Sequence, residues 1–581
     1  MNAQDLYFVD IAAVRIQTWL ARSAKVRYRR GASFRLADLT DPQHVATLLP
    51  PGGPVVANTA AGSLSGVASV CFPADGLSEE QAREMAMTAA IRVASALRDA
   101  FPALPLRAVW GSGPSYVQAY AGDMRLRPPL LDLPAQVEEG IAARPCGMCR
   151  SARAVHPKVS FVADEEGVDL CVDCHSRVMA SDAPPAGFTS VGSGKSLPKA
   201  QLRLEKDLQT DGIESVFPKD FAKLASWLGR TDGDAATHLC TLFADGNRIG
   251  VLMKAIADQL SSASPKPGDP PALTRAEAVA QLTAATRRAV AEAALAAVAA
   301  VEAKATDQKP DDLTASRKRK VPALIHIADG DDVLMTVPAA AGWTAATTLA
   351  TAFEREIGDL AARAGIDGTT LGSVSISMGM VFHHATHPFA DVVGAAEEQL
   401  KTAKRQFLGG CSAVAFLDYT ADGESSVGTV EADAGRARRA ISLDELRNWS
   451  KAFAAAADVE ASQRSNLLQL LRETTAVAHG THSPPSHAAE TPRVALARRI
   501  KTLARSEVLA LVGGSDGGPI RGETSTAQRT RVQRALLDDD ASARDELRFR
   551  LDIVRWWPPA TAAPHTSDTL TPTSAETEVT P

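Results

Sequence analysis

Apolar residues recur along the chain with the spacings of strands and helices, and they do so in two successive regions. In residues 321–327 every second residue is apolar, which is the spacing of a half-buried strand. In residues 389–407 apolar residues recur every three or four positions and mark one buried helix face, which Lys404 borders. The pattern therefore predicts a mixed, α+β protein.

The second region, residues 236–420, follows a strand, helix, strand, strand, helix, strand order with one more helix and strand at its end. The predicted elements are a strand at 239–244, helices at 249–260 and 275–303, hairpin strands at 321–328 and 332–337, a helix at 345–364, a strand at 373–382, a helix at 389–407 and a strand at 412–417. This order is that of a ferredoxin-like domain.

The first region, residues 1–135, repeats the same order. Its predicted elements are a strand at 6–11, a helix through 14–20, strands near 55 and at 67–72, a helix at 78–100 and a strand at 104–110. No acidic hairpin tip like that of the second region is present, so we expect this domain to be catalytically silent.

The remaining segments differ in composition. Residues 136–180 are predicted to be a cysteine-bearing insert, and residues 181–235 a Pro-, Gly- and Ser-rich linker that becomes a helical connector. Helical spacing predicts a C-terminal domain over 421–557, with helices at 442–457, 461–478, 492–512 and 525–557. Residues 558–581 are Pro, Thr, Ser and Ala with little to bury, and a disordered tail is expected.

Composition narrows the class of protein. The 581 residues are 45% hydrophobic and 22% charged, typical of a globular protein of several domains, and the net charge is -6. Any binding of nucleic acid must therefore use local basic patches. The basic run from Arg22 to Arg30 is a candidate for contact with RNA, and a solvated helix end explains it equally well. No opening segment resembles a secretory signal and no apolar run reaches membrane-spanning length, so a cytoplasmic protein without membrane contact is expected.

Two tight cysteine pairs predict a metal site. Cys146 and Cys149 form one pair, and Cys171 and Cys174 form the other. Two such turns complete a closed four-sulfur site for Zn²⁺, which leaves no open coordination position and is therefore structural. His175 is an alternative ligand, although a solvent-facing position suits it better. The lone cysteines 71, 240 and 411 lie in apolar strands and are predicted to be core residues.

Two acidic stretches carry the candidate chemistry. Residues 242–250 are predicted to be a strand ending at Asp245 before a helix, and residues 327–333 a turn carrying Asp331 and Asp332 between two strands. Pairing of these strands would bring the three carboxylates together, where divalent cations such as Mg²⁺ or Mn²⁺ would screen their repulsion. Asp-Gly pairs are also ordinary turn formers, so either stretch alone would more often be a plain hairpin.

Taken in order, these features resemble the large polymerase/cyclase subunit of type III CRISPR-Cas effector complexes, over nearly the whole chain. The motifs that carry the resemblance are Phe-Ala-Asp-Gly-Asn-Arg-Ile-Gly at 243–250, Asp-Gly-Asp-Asp-Val-Leu at 329–334, the cysteine pairs between the two regions, Ser-Ile-Ser-Met-Gly at 375–379, Ala-Lys-Arg at 403–405 and the opening residues 14–33. The resemblance implies two palm domains, of which the second is catalytic.

The resemblance also implies an activity. Members of this family convert ATP into cyclic oligoadenylates and pyrophosphate when target RNA is bound. Asp245, Asp331 and Asp332 would hold two Mg²⁺ ions, one activating a 3′-hydroxyl and the other stabilising the α-phosphate and the leaving pyrophosphate. The implied nucleotide-binding residues are Gly246, Gly330, Ser375 and Lys404, with Lys404 neutralising triphosphate charge. The implied partners are other effector subunits, guide RNA and target RNA.

Three departures from the family pattern qualify these expectations. Asp329 stands where Gly is usual in a Gly-Gly-Asp-Asp turn, and Asn247 stands where many relatives have a second Asp. The chain has no His-Asp dipeptide, so the nuclease domain of many relatives and cleavage of single-stranded DNA are not expected. The alternatives are a catalytically inactive scaffold that binds guide RNA and partner subunits and, less favoured, a stand-alone diguanylate-type cyclase.

Overall fold

The computed structural model describes residues 5–23, 26–62, 66–135, 144–159, 167–182, 199–227, 237–262, 275–302, 319–366, 374–420, 440–478, 511 and 541–558. The chain divides into two compact units. Unit 1 comprises residues 1–297 and 313–448, and unit 2 comprises residues 298–312 and 449–581. No helix in the described ranges is long and apolar enough to span a membrane.

The first palm domain is a five-stranded sheet with helices packed against it. Its elements are β1 (Leu6–Ala13), α1 (Ile16–Ala21), α2 (Val26–Leu39), α3 (Pro42–Leu48), β2 (Val56–Ala57), β3 (Val67–Pro73), α4 (Glu79–Ala100), β4 (Leu106–Gly113), α5 (Tyr116–Ala121), α6 (Asp123–Leu126) and β5 (Leu131–Leu133). The strand order is β2-β3-β1-β4-β5, and β1 runs antiparallel to both neighbours. Helix α4 begins with a capping box of Ser78 and Gln81 and buries an alanine-rich face.

The cysteine-bearing insert packs against the first palm domain. It contains β6 (His156–Val159), β7 (Val168–Leu170) and α7 (Val172–Asp182). Tyr28 of α2 lies in the same buried cluster as three of the cysteines. Arg177 of α7 is fully buried, pairs with Asp173 at 2.9 Å and lies over the Trp19 ring of α1. The insert thus shares its core with α1 and α2, a contact that its sequence did not predict.

The connector and the second palm domain follow. The connector has α8 (Lys199–Thr210), β8 (Ser215–Val216) and α9 (Phe221–Ser226). The palm domain has β9 (His238–Asn247), α10 (Ile249–Ser262), α11 (Arg275–Glu302), β10 (Arg319–Lys320), β11 (Leu324–Asp329), β12 (Asp332–Pro338), α12 (Gly342–Arg363), β13 (Ser375–His384), α13 (Phe389–Phe407), β14 (Ala413–Asp418) and β15 (Ala440–Ser442). Strands β8 and β10 form a separate parallel pair, and the main sheet has the order β11-β12-β9-β13-β14-β15.

The two palm sheets share the ferredoxin-like order, which confirms the predicted fold class. In each, the first strand lies in the middle of the sheet and the hairpin strands lie to one side of it. The predicted elements of the second palm lie within a few residues of the observed ones. Strand β15, which pairs with β14, was not predicted. The proposed domain boundaries stay a prediction.

Two helices cover opposite faces of the second palm sheet. Phe243 and Val381 pack with Leu400 of α13 on one face. On the other face, a side chain at Gly246 would collide with Phe353 of α12. Because side chains alternate along a strand, the odd-numbered residues of β9 lie on the α13 face. Asp245 belongs to that face.

Unit 2 is helical where it is described. Besides the end of the helix α14 (Leu443–Ala457), it contains α15 (Ala461–Ala478) and α16 (Ala541–Val554). The Arg550 guanidinium of α16 lies 3.8 Å from the centre of the Trp449 ring, and α16 packs on α15. Leu547, Leu551, Ile553 and Val554 of α16 are buried, and Phe549 is half-buried. Apart from residue 511, the predicted helix at 492–512 lies outside the described residues, as do residues 525–540 of the last predicted helix and, from residue 559, the tail.

A buried chain of polar side chains crosses the α13 face of the second palm sheet. His383 Nε2 lies 2.8 Å from Thr241 Oγ1, which lies 2.9 Å from Thr336 Oγ1, and His326 Nε2 also contacts Thr336. The other His383 nitrogen, Nδ1, lies 3.0 Å from the His384 carbonyl oxygen. Burial lowers the pKa of His383 to about 4. The folded protein therefore holds this imidazole in its neutral form.

This lowered pKa predicts a loss of stability in acid. Between pH 6.5 and 4 the unfolded chain binds a proton at His383 that the folded chain does not, so the free energy of unfolding falls as pH falls. The full effect of this one group is about 3 kcal/mol. Chemical unfolding of wild type and His383→Gln at pH 7.5 and 5 measures it, because other titrating groups cancel in the comparison. Equal pH dependence in the two proteins would contradict the prediction.

Candidate active site and zinc centre

The three predicted acids lie at one end of the second palm sheet. Asp245 of β9 is directly opposite Asp332 of β12 in the antiparallel ladder. Gly330 and Asp331 form the two-residue turn between β11 and β12, and Gly330 has a φ of 61°. A positive φ at the first central position alone is typical of a type II′ hairpin turn. Asp329 ends β11 without left-handed geometry, so this departure from Gly does not strain the turn.

Burial and mutual repulsion raise the pKa values of two of these acids. Burial raises the pKa of Asp331 to about 6, and the Asp245 charge adds to the effect. Burial likewise raises the pKa of Asp332, with further contributions from Asp245 and Asp331. Lys404 of α13 forms an ion pair with Asp245. With all three acids ionised, the single lysine leaves two negative charges uncompensated.

The acids converge unequally. Asp245 and Asp332 share the α13 face and lie within hydrogen-bonding reach of each other. Asp331 lies on the other side of β9, where a Cβ added to Gly246 would fall 3.0 Å from the Asp331 Cβ. Among the described residues, the four cysteines are the group whose ligand atoms all lie within 4.8 Å of one another. The carboxylate oxygens of Asp245, Asp331 and Asp332 are therefore spaced more widely than the ligand atoms of a closed metal site.

The donor set nevertheless fits a divalent cation. Oxygen ligands with excess negative charge are what Mg²⁺ and Mn²⁺ prefer, and a cation would favour the ionised form of the half-buried Asp331 and Asp332. Asp245, Asp331 and Asp332 would hold it, with Asp245 giving up its pairing to Lys404. That two ions bind stays a prediction.

Gly246 and Gly330 have structural roles in this arrangement. A side chain at Gly246 would also come within 2.6 Å of Ile249, so Gly lets the acidic turn, Gly330-Asp331, approach β9. Gly330 uses both of its backbone polar groups in hydrogen bonds to α11: its N–H donates to Thr283, and its carbonyl accepts from Thr286. These contacts, and Thr283 and Thr286 themselves, were not predicted. Nucleotide contact by the two glycines stays a prediction.

The predicted nucleotide-binding residue Ser375 is buried in a network centred on Asn247. The Asn247 amide donates to Ser375 Oγ at 3.0 Å and accepts from Ser377 Oγ at 3.0 Å. Ser375 in turn donates to the carbonyl of Gly409, which follows α13. The hydroxyl expected to contact nucleotide therefore already has two partners. Asn247 ties the end of β9 to β13 and to the turn after α13, which accounts for the amide at this position.

The first palm domain lacks acids at the corresponding places. The first residue of β3, Val67, pairs with Ala12 of β1, as Asp332 pairs with Asp245. The buried acid of β1, Asp10, accepts hydrogen bonds from Ser69 and Tyr116. That the first palm domain is catalytically silent stays a prediction.

The four predicted zinc ligands come together. Their Sγ atoms all lie within 4.8 Å of one another, which suits a tetrahedral Zn²⁺ with Zn–S distances of about 2.3 Å. Hydrogen bonds among the thiols, that with Cys146 foremost, lower the pKa of Cys149 and raise those of Cys171 and Cys174. The thiols therefore do not all ionise together without a cation. The arrangement is compatible with the predicted four-sulfur site for Zn²⁺.

The basic run after α1 is partly structural. Arg22 donates to Ser151 of the insert, and the buried Arg29 donates to the carbonyl of Ser23. The side chains of Lys25, Arg27 and Arg30 lie outside the described residues. The candidate RNA contact stays a prediction.

Comparisons with known proteins identify the region that holds the acids. Residues 238–408 match the sequence model described as "Cas10/Cmr2, second palm domain". No curated protein sequence matches the chain.

Similar solved structures include the Csm1–Csm4 cassette in complex with cA4, at 12% identity and a TM-score of 0.46, with 95% of this chain and 70% of that chain covered. The Csm1–Csm4 subcomplex of the type III-A CRISPR-Csm interference complex is similar at 14% identity and a TM-score of 0.46, with the same coverage. The cassette in complex with one ATP has 12% identity and a TM-score of 0.44, with 94% and 70% covered.

The family match spans β9 to the end of α13 and so includes every acid of the site and Lys404. It confirms the resemblance inferred from the motifs. Residues 238–408 of this chain are therefore similar to the second palm domain of the Cas10/Cmr2 family.

Proposed function

We propose that this protein is the large subunit of an RNA-guided type III CRISPR effector complex and synthesises cyclic oligoadenylates from ATP when target RNA binds. The observation that carries the proposal is the pairing of Asp245 with Asp332 beside the Asp331 turn. This acidic end lies within the part of the chain that matches a Cas10/Cmr2 palm domain. Its uncompensated charge suits a cation-assisted nucleotidyl transfer.

The acids and the lysine have distinct tasks in this proposal. Asp245, Asp331 and Asp332 would hold Mg²⁺ or Mn²⁺, which would supply positive charge for attack of a 3′-hydroxyl on an α-phosphate and departure of pyrophosphate. The Lys404 side chain is 38% exposed, and its ammonium group is carried by a long, flexible stem. Once released from Asp245, its ammonium can bind triphosphate oxygens at the rim of the site.

The first palm contributes surface without acid ligands. With Ala12 and Val67 at the corresponding positions, it can line the pocket of a second ATP but cannot hold a cation there. Partners in this function are other type III effector subunits, guide RNA and target RNA. The Zn²⁺ site stabilises the insert and takes no part in the chemistry.

Product analysis tests the proposal. The assembled complex, incubated with target RNA, ATP and Mg²⁺, should release pyrophosphate and cyclic adenylates that mass spectrometry identifies. Parallel reactions without target RNA, or with GTP in place of ATP, should give far less product. Absence of any product with ATP and target RNA would favour the inactive scaffold, and preference for GTP would favour a diguanylate-type cyclase.

A further inference from the structure

The acidic turn is held from outside its own sheet. In a two-residue hairpin the N–H and carbonyl of the first central residue take no part in the strand ladder and usually face water. Here Gly330 N–H donates to Thr283 Oγ1 at 3.2 Å, and Thr286 Oγ1 donates to Gly330 O at 2.7 Å. Both threonines lie on one face of α11, three residues apart. Helix α11 therefore holds the turn through the Gly330 N–H and carbonyl, the two backbone groups that the strand ladder does not use.

The helix that grips the turn is itself fixed on two sides. Arg287 pairs with Asp207 of α8 at 2.9 Å, and Arg288 pairs with Glu356 of α12 at 2.6 Å. Exposed ion pairs add little stability, but they fix the rotation of α11 about its axis. That rotation determines where the two threonine hydroxyls lie.

The flank of the turn has a further support. Helix α8 packs on β11, and its half-buried Arg203 lies close enough to Asp329 to feel its charge. Burial lowers the pKa of Arg203, and Asp329 is the foremost charge that opposes this effect. The additional carboxylate at the position usually held by Gly therefore has a nearby counter-charge in the connector.

We propose that Thr283 and Thr286 are positioning residues, which set the place of Asp331 and Asp332 by holding Gly330. Thr286 is fully buried, so its hydroxyl has no water to replace the Gly330 carbonyl as a partner. The consequence for catalysis rests on the proposed function, whereas the grip itself does not. Loss of the hydroxyls should loosen the turn without unfolding the domain.

The test compares a Thr283→Val/Thr286→Val variant of the full chain with Thr283→Ser/Thr286→Ser. Valine keeps the volume and removes the hydrogen bonds, and serine keeps the hydroxyl. We expect amide hydrogen exchange at Gly330 to be about tenfold faster in the valine variant and restored by serine. We expect Mn²⁺, followed by its paramagnetic resonance spectrum, to bind about tenfold more weakly to the valine variant and normally to the serine variant.

Thr347→Val is the matched control, because this hydroxyl donates to the carbonyls of Trp343 and Thr344 in its own helix, α12. It should change neither measurement. Unchanged exchange at Gly330 in the valine variant would show that Thr283 and Thr286 do not hold the turn. Faster exchange with unchanged Mn²⁺ affinity would overturn the positioning role. If wild type bound no Mn²⁺, the proposed function would fail, while the exchange result would still decide whether α11 holds the turn.

Discussion

An Asp331→Ala/Asp332→Ala variant should lose cyclic oligoadenylate synthesis by a factor of about 10³ or more while remaining folded. At pH 7.5 the Asp331 carboxyl, with a pKa of about 6, is ionised at the expense of burial and repulsion. A bound cation would offset that repulsion, and this is the role that the proposed function gives to the two carboxylates. Removing them leaves one of the three proposed metal ligands, Asp245, which is paired with Lys404.

The sign of the stability change separates this prediction from simple unfolding. A carboxyl whose pKa is raised in the folded state stabilises the fold below its unfolded pKa and loses that contribution as pH rises through the folded pKa. At pH 7.5 without metal, the double variant should therefore unfold at the same temperature as wild type or higher. Mg²⁺ should raise the unfolding temperature of wild type and not that of the variant.

The measurement is mass spectrometry of nucleotide products, with thermal unfolding of the same preparations. Asp359→Ala is the control, because it removes an exposed carboxylate from the neighbouring helix α12. It should leave product formation unchanged. Wild-type product levels from the Asp331→Ala/Asp332→Ala variant would remove these acids from the mechanism. Loss of activity together with a lowered unfolding temperature would show that the acids are structural instead.

The sequence pattern within each acidic stretch was enough to predict the strands and the turn that carry this site. The period-two spacing of the strands and the Asp-Gly turn predicted the hairpin. Asp245 was expected beside it if the two acidic stretches paired, and β9 does pair with β12. The tighter pairing of Asp245 with Asp332 follows from ladder register. The register of β9 against β12 depends on the burial pattern of both strands, so neither acidic stretch alone determines it.

Such patterns did not predict the hydrogen bonds and the ion pair that the side chains of the site form. Thr283 and Thr286 read as ordinary helix residues in an alanine-rich stretch, and only the folded chain brings them to Gly330. The pairing of Lys404 with Asp245 joins segments far apart in sequence. Asn247 looked like a lost ligand, whereas its amide is committed to two serines of β13. Polar contacts of this kind depend on side-chain direction after folding, which spacing alone does not determine.

A Cys146→Ser variant should lose its zinc and several kcal/mol of stability, because structural zinc sites contribute folding energy directly. The four Sγ atoms form the centre of a small buried cluster that includes Tyr28 of α2. Without the metal the remaining thiols have no cation to hold them together, and the packing of α7 against the first palm domain weakens. Hydrogen exchange should therefore increase in residues 144–159 and 167–182 and also in α2.

Zinc analysis, thermal unfolding and hydrogen exchange of the full chain check this prediction together. We expect about one zinc ion per wild-type chain and a clear loss in the variant. Cys411→Ser is the matched control, because this lone cysteine lies outside the four-sulfur cluster, and it should keep both zinc and stability. Zinc retained by Cys146→Ser, or an equal loss in Cys411→Ser, would contradict the structural zinc site. Faster exchange confined to the insert would show that the metal holds the insert alone, without supporting the first palm domain.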